Sequence, residues 1–259
     1  TPFVKTGDFV PTTLNLSKHI YEQSFIKSCE YTFFQTKSNG VFIGLVVSLV
    51  ALGYDDKDIV FELDSDNFKD ISDFLSIWYF TNHSNIDNFV VDNKDYKIII
   101  KDCKRLINFL LTITNNLNNI PEDSILSPLE YSNGILSGYF SGKSKNIDGY
   151  LGVCSNKMNT ELISTLCSRI GVIGTIEDTF ILYDHEMTEK LFKNIDMICS
   201  NKFNIKYSVN TEEPYEKVND VILDEIVKIT KMEYGKYTKL YDLTIPETLN
   251  FCLANGLQV

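Results

Sequence analysis

Positive charge is what this chain is short of. Its 24 Lys and Arg stand against 35 Asp and Glu, a net charge of −11 with histidine neutral. Holding a phosphate backbone takes clustered cations, so bulk charge excludes a nonspecific nucleic-acid binder and leaves only a local basic face for such a role. Histidine is scarce: His19, His83 and His185 are scattered, and no HExxH or HxH spacing supports a metal site built on them. The cysteines Cys29, Cys103, Cys154, Cys167, Cys199 and Cys252 form no CxxC pair and mostly sit in apolar runs. Such usage predicts buried thiols in a reducing intracellular compartment, cytoplasm or nucleus, rather than a zinc site or a disulfide framework. The first residues have neither a basic start nor an apolar core, so no secretory signal is visible. The longest apolar run, residues 41–52, falls short of the roughly 20 residues that span a bilayer and predicts a buried helix instead. The chain lacks an initiator Met and reads as an internal piece of something longer.

What is present fits a folded protein. A hydrophobic fraction of 44% and a charged fraction of 23% exclude wholesale disorder. Its 259 residues allow one large domain or two small ones. Thr6-Gly7-Asp8 predicts a turn and Phe9-Val10-Pro11 a short strand that ends at the proline. Helical spacing follows over residues 16–25. Tyr31-Thr32-Phe33-Phe34 reads as a core strand.

The middle of the chain repeats. The first unit reads as a helix over 41–52, a strand over 59–63, an amphipathic helix over 68–79, strands near 89–91 and 96–100, and a helix over 103–113. The second has the same order: a helix over 129–140, a strand over 147–154, a helix over 159–169, strands over 172–176 and 179–182, and a helix over 187–199. Gly44 and Gly138 hold equivalent places in the two lead helices. Two copies of about ninety residues each indicate duplication, and their lead helices are expected to pack together on a pseudo-two-fold axis. Beyond the repeat, the spacing predicts a strand over 203–209 and a helix over 215–232 carrying Val218, Val221, Ile222, Ile226 and Ile229 on one face. Strands follow at Lys239 to Ile245 and Asn250 to Leu253, and Asn255-Gly256 is a strong turn signal.

The run Tyr241-Asp242-Leu243-Thr244-Ile245-Pro246-Glu247-Thr248-Leu249-Asn250-Phe251-Cys252-Leu253-Ala254-Asn255-Gly256-Leu257-Gln258-Val259 resembles the C-terminal splicing motif of inteins. In that family a terminal Asn cyclises on its own carbonyl while His and Asp groups move protons and stabilise the tetrahedral intermediate. By the resemblance Asp242 matches the functional Asp and is the candidate catalytic residue. Leu249 stands where the family usually has His. The terminal His-Asn pair, the downstream nucleophile and the N-terminal half with its Cys or Ser start are not in this sequence. Val4-Lys5-Thr6-Gly7-Asp8-Phe9-Val10-Pro11 resembles the family segment just after that half. The wording of the motif looks most like inteins in RNA polymerase largest subunits.

The lead helices resemble the LAGLIDADG motif of homing endonucleases that sit inside inteins. Leu136-Ser137-Gly138-Tyr139-Phe140-Ser141-Gly142-Lys143-Ser144 aligns well, and Phe42-Ile43-Gly44-Leu45-Val46-Val47-Ser48-Leu49-Val50 less well. Gly44, Ser48, Gly138 and Gly142 would let the helices approach closely. Asn119-Ile120-Pro121 and Ser155-Asn156-Lys157 sit where the family has similar segments. Each motif normally ends in an acid, and the pair holds a divalent metal over the scissile phosphates. Here those positions are Leu49 and Lys143, so no metal ligand is expected, and Mg²⁺ would enter only if the endonuclease were active. Asp55, Asp56 and Asp148 read as caps and turn residues. His83 reads as a loop residue, and Lys101, Lys104 and Arg105 as a solvated helix face.

These readings give an α+β chain. Residues 1–28 would be the N-side segment of an all-β Hint splicing fold. Residues 29–209 would be a degenerate LAGLIDADG-like domain with repeats at 39–115 and 127–200, and residues 210–259 a linker helix and the C-terminal splicing strands. The partners implied are an N-terminal intein segment in cis or trans and the flanking host protein; DNA is disfavoured by the charge and the missing carboxylates. The rival readings are an active sequence-specific DNA endonuclease and a non-catalytic structural or interaction domain.

Overall fold

A computed structural model of the chain describes residues 4–13, 25–28, 31–53, 57–147, 150–176, 179–182, 185–199, 216–218, 221–226 and 228–229. After a turn at Thr6-Gly7, strand β1 (Phe9–Thr13) runs through Pro11, which pairs opposite Leu223. The strand does not stop at the proline as expected. It lies at a sheet edge, where a missing N–H can face away from the ladder. Strands β2 (Phe25–Ser28) and β3 (Tyr31–Phe34) form a hairpin, and Phe33 is buried as expected. Phe25 opens β2 rather than closing a helix; residues 16–24 of that expectation lie outside the described residues.

The first unit follows. Thr36 caps helix α1 (Lys37–Leu49), its hydroxyl accepting from the Asn39 amide at 3.3 Å. The apolar run does not stay helical to residue 52: Val50 turns extended, and β4 (Val50–Leu52) pairs antiparallel with β5 (Ile59–Glu62). An all-apolar run carries no period, and pairing with β5 gives its end backbone partners that a longer helix would not. Helix α2 (Ser65–Asn82), strands β6 (Phe89–Asp92) and β7 (Lys97–Ile100), and helix α3 (Lys104–Ile113) complete the unit. Trp78 of α2 stacks on Phe42 of α1 at 3.6 Å, and its Nε1 donates to Asn39 Oδ1 at 2.8 Å. Asn39 in turn donates to Phe34 O at 2.7 Å, so one buried amide joins β3, α1 and α2. Asn39→Ala is expected to cost about 2 kcal/mol, because the indole N–H would stay buried without an acceptor; a urea titration followed by Trp78 fluorescence measures it.

The second unit repeats this order: α4 (Leu129–Lys143), β8 (Ser144–Ile147), β9 (Tyr150–Cys154), α5 (Lys157–Ser168), β10 (Gly174–Ile176), β11 (Thr179–Leu182) and α6 (His185–Asn194). The single strand expected over 147–154 is a hairpin, with Asp148-Gly149 between its arms in the sequence, a dipeptide suited to a two-residue turn. The two four-stranded antiparallel sheets have matching orders, β4-β5-β7-β6 and β8-β9-β11-β10. Small antiparallel sheets flanked by helices make the chain α+β, as expected.

The helix expected over 215–232 is not formed. Strands β12 (Glu216–Val218) and β13 (Val221–Glu225) lie there instead, and β13 sits between β12 and β1. β-branched Val218, Val221 and Ile222 around an Asn-Asp dipeptide favour a hairpin, and their helical spacing is incidental. The strands expected at 203–209 and beyond residue 238 lie outside the described residues. Cys103 and Cys167 are free thiols, and Cys167 and Cys199 are buried. Among the described residues no helix is long and apolar enough to cross a membrane.

Candidate functional site: the paired lead helices

Helices α1 and α4 touch through their main chains. A Cβ built on Gly40 would lie 2.1 Å from Tyr131 O, and one on Gly134 would lie 2.2 Å from Lys37 O. One turn on, a Cβ on Gly44 would lie 2.3 Å from Ile135 O and one on Gly138 would lie 2.1 Å from Val41 O. Each contact is the other's image across a pseudo-two-fold axis, which is the packing the repeat implied. The sequence reading singled out Gly44, Gly138, Gly142 and Ser48 but missed Gly40 and Gly134. Their signal was a small residue every fourth position in both helices, the spacing that lines one face.

The symmetry ends at the helix C-termini. Gly142 of α4 faces Ser48 of α1, whose hydroxyl donates to Leu45 O at 3.1 Å. Leu49 then closes α1 and Lys143 closes α4. Leu49 is half-buried against the core, and Lys143 Nζ sits 5.9 Å from the Tyr139 ring centre. These two side chains occupy the positions where the resemblance would place metal-holding carboxylates. A leucine offers no donor atom and an ammonium repels a cation, so the residues present do not fit a divalent metal. Among the described residues no group of three or more His, Cys, Asp or Glu could hold a metal ion. Asp55, Asp56 and Asp148 lie outside the described residues, as do Asp242, Leu249 and the whole splicing-like run.

The sheet faces turned away from the helices are equally poor in cations. On the first sheet Ala51, Val60, Ile99 and Val90 form one cross-strand row. Beside it runs Glu62, Lys97 and Asp92, with Lys97 paired to Glu62 at 2.8 Å. That pair and the neighbouring carboxylates raise the Lys97 ammonium above its ordinary value. On the second sheet the row is Thr175, Ile181, Gly152 and Lys145. The first face thus sets one cation against two acids and the second row offers Lys145 alone, too little for a phosphate backbone.

Two segments brace the second unit. Asn119-Ile120-Pro121 docks on the start of α5: Asn156 Nδ2 donates to Asn118 O at 3.0 Å and Asn119 Oδ1 at 3.1 Å, and Ile120 N donates to Asn159 Oδ1 at 2.8 Å. The other is the stretch after α6. Asn133 donates to Asn194 O, Ser137 donates to Asp196 O, and Ser141 accepts from Ile198 N, a polar stripe at every fourth residue of α4. Lys37 of α1 pairs with Asp196, so this stretch crosses both lead helices.

Sequence reasoning also missed Arg169. It is buried, and its guanidinium donates to Ser124 O at 3.2 Å, Ser132 Oγ at 2.6 Å and Ser127 O at 2.9 Å. Burial lowers it to about 10, still cationic at neutral pH. His83 is half-buried at the end of α2, stacked on Tyr79, and burial lowers it below the ordinary 6.5. A base lowered on folding lends stability above its unfolded value that is lost as pH falls through its folded one. The thermal midpoint is therefore expected to fall on acidification below 6.5, and to fall less in His83→Gln, as calorimetry at stepped pH would show.

No family model matches the chain, and no curated protein matches it. Among solved structures it is similar to the homing endonuclease I-DmoI. A structure of mesophilic variants of that enzyme is 14% identical, with 62% of this chain and 96% of the other covered and a TM-score of 0.46. I-DmoI in complex with DNA and calcium is 14% identical over 60% of this chain and 87% of its own, with a TM-score of 0.45. At such identity the likeness concerns the path of the chain and transfers no residue role.

Proposed function

We propose that residues 29–209 form a LAGLIDADG-like endonuclease domain that no longer cleaves DNA, set within the C-terminal portion of an intein. The observation that carries the reading is the reciprocal glycine-over-carbonyl helix pair, closed by Leu49 and Lys143 where carboxylates are needed. The scarcity of cations on the sheet faces adds to it. The pairing of β1 with β13 supports an inserted domain, because it brings residues 9–13 and 221–225, which flank the repeats, into one sheet. The splicing role rests on the resemblance around Asp242. The partners are then an N-terminal intein segment and the host protein at either side, with an RNA polymerase largest subunit as the proposed host.

Two measurements test this reading. Supercoiled DNA carrying the host gene's uninterrupted site, incubated with the protein and Mg²⁺ or Mn²⁺, is expected to stay uncut; nicking would favour the active endonuclease. Intact mass of protein expressed from the whole surrounding reading frame is expected to show a ligated host product and a released internal piece, both lost in Asp242→Ala. An unprocessed precursor with all flanking residues present would leave a structural domain and remove the splicing claim.

A further inference from the structure

The basic cluster that sequence alone assigned to a solvated face borders a cleft of about 420 Å³ between the end of α2, strand β3 and the start of α3. Lys101, Lys104 and Arg105 line it together with Tyr31, His83 and Asn88, and Asn88 O accepts from the Lys101 amide at 2.7 Å. In a chain of net charge −11, these three cations lie within five residues, and among the described residues none joins an ion pair. One carboxylate, Asp102, lines the same cleft, and a second, Asp58, accepts from the Asp102 amide at 3.0 Å beside the start of α3, so three cations stand against two acids and a surplus of one remains. The His83 Nε2 atom is buried and has no hydrogen-bond partner. The α3 amides add donors: the first helical bond runs from Ile107 N to Cys103 O, no side chain caps the helix, and its first turn holds no acid.

We infer that this cleft binds a phosphate monoester of nucleotide size. The volume lies in the range of small-molecule sites, about 300 to 1,000 Å³. The cations and amides would take the phosphate, and Asn88, Tyr31 and the imidazole of His83 would face the organic part. Tyr79 is not a stacking platform, because Phe89 and His83 already stack on it. A nucleoside is therefore held by its edges and its phosphate rather than between rings. The site stands apart from the helix-pair ends, so it does not depend on the function proposed above.

The only tryptophan, Trp78, has its ring centre 5.7 Å from that of His83, so its fluorescence reports on the cleft. Titration of the full chain with adenosine monophosphate is expected to give a saturable change, and inorganic phosphate a weaker one. Lys104→Glu with Arg105→Glu is expected to weaken binding about tenfold or more, and Lys145→Glu to leave it unchanged. Acidic residues in a first helical turn favour the helix, so the charge-reversed chain is expected to fold. Lys101→Gln, at an exposed residue before α3, is a milder second test with an expected loss of about threefold. No saturable change below about 10 mM, or equal affinity in the charge-reversed and parent chains, would overturn the inference. So would a short DNA duplex binding more tightly than the nucleotide at the same residues, which would make the cleft a nucleic-acid contact.

Discussion

Gly138→Ala is expected to lower the stability of the two-unit domain by about 3 kcal/mol, and Gly138→Val to prevent folding. On an exposed helix face the same glycine-to-alanine change raises stability by up to about 1 kcal/mol. The sign reverses because the new methyl would stand 2.1 Å from Val41 O and 2.8 Å from Leu45 N. Those are main-chain atoms of a buried helix, so nothing can rotate away and the two helices must separate. Gly142→Ala is expected to cost less, since its nearest neighbour is the Ser48 hydroxyl, a side chain. Adding Ser48→Gly is expected to recover most of that loss. Urea titrations of the four variants, read by Trp78 fluorescence, decide the matter. Equal small losses at positions 138 and 142 would mean that the helices are not in main-chain contact.

Arg169→Met is expected to cost about 3 kcal/mol. Methionine keeps much of the buried stem but leaves Ser124 O and Ser127 O without their charged donor. Both carbonyls belong to the single-turn segment Glu122–Leu126 and the residue after it, which lead directly into α4. Loss of the guanidinium therefore loosens the entry of a lead helix. Arg169→Lys is expected to fall between, because one ammonium cannot span three acceptors set around a planar fork. Hydrogen exchange offers an independent check: amides of residues 122–132 are expected to lose protection in Arg169→Met while those of α2 keep theirs. Unchanged protection would show that the serine segment stands without the arginine.

The repeat was legible because periodic apolar positions and paired glycines are local features. The two lead helices, the helices and later strands of each unit, the strand at Tyr31 to Phe34 and the carboxylate-free helix ends could all be read from residue types. Three of the stretches that misled did so for different reasons. Residues 50–52 end an apolar run that carries no period, so only the presence of β5 decides their state. Residues 147–154 hid a hairpin behind alternating apolar residues, although Asp148-Gly149 was there to see. Residues 215–232 showed helical spacing, yet β1 supplies a pairing edge from the far end of the chain. Arg169 had no signal at all, because its acceptors are mainly carbonyl oxygens and every residue has one. Asp242 lies outside the described residues, so its role stays with the splicing experiment.

The pairing of β1 with β13 also has an entropic side. In an unfolded chain, joining these strands closes a loop on the order of 200 residues, at a cost of about 5 kcal/mol. Thr13 and Val221 are register partners, so the folded middle returns the chain to its starting point. Most of that closure cost is then met by the folding of the two units before the small sheet forms. Melting the middle would restore the long floppy loop and weaken the β1–β13 ladder without removing any of its own hydrogen bonds. The two-unit middle is thus a thermal fuse for the sheet that its flanking strands form.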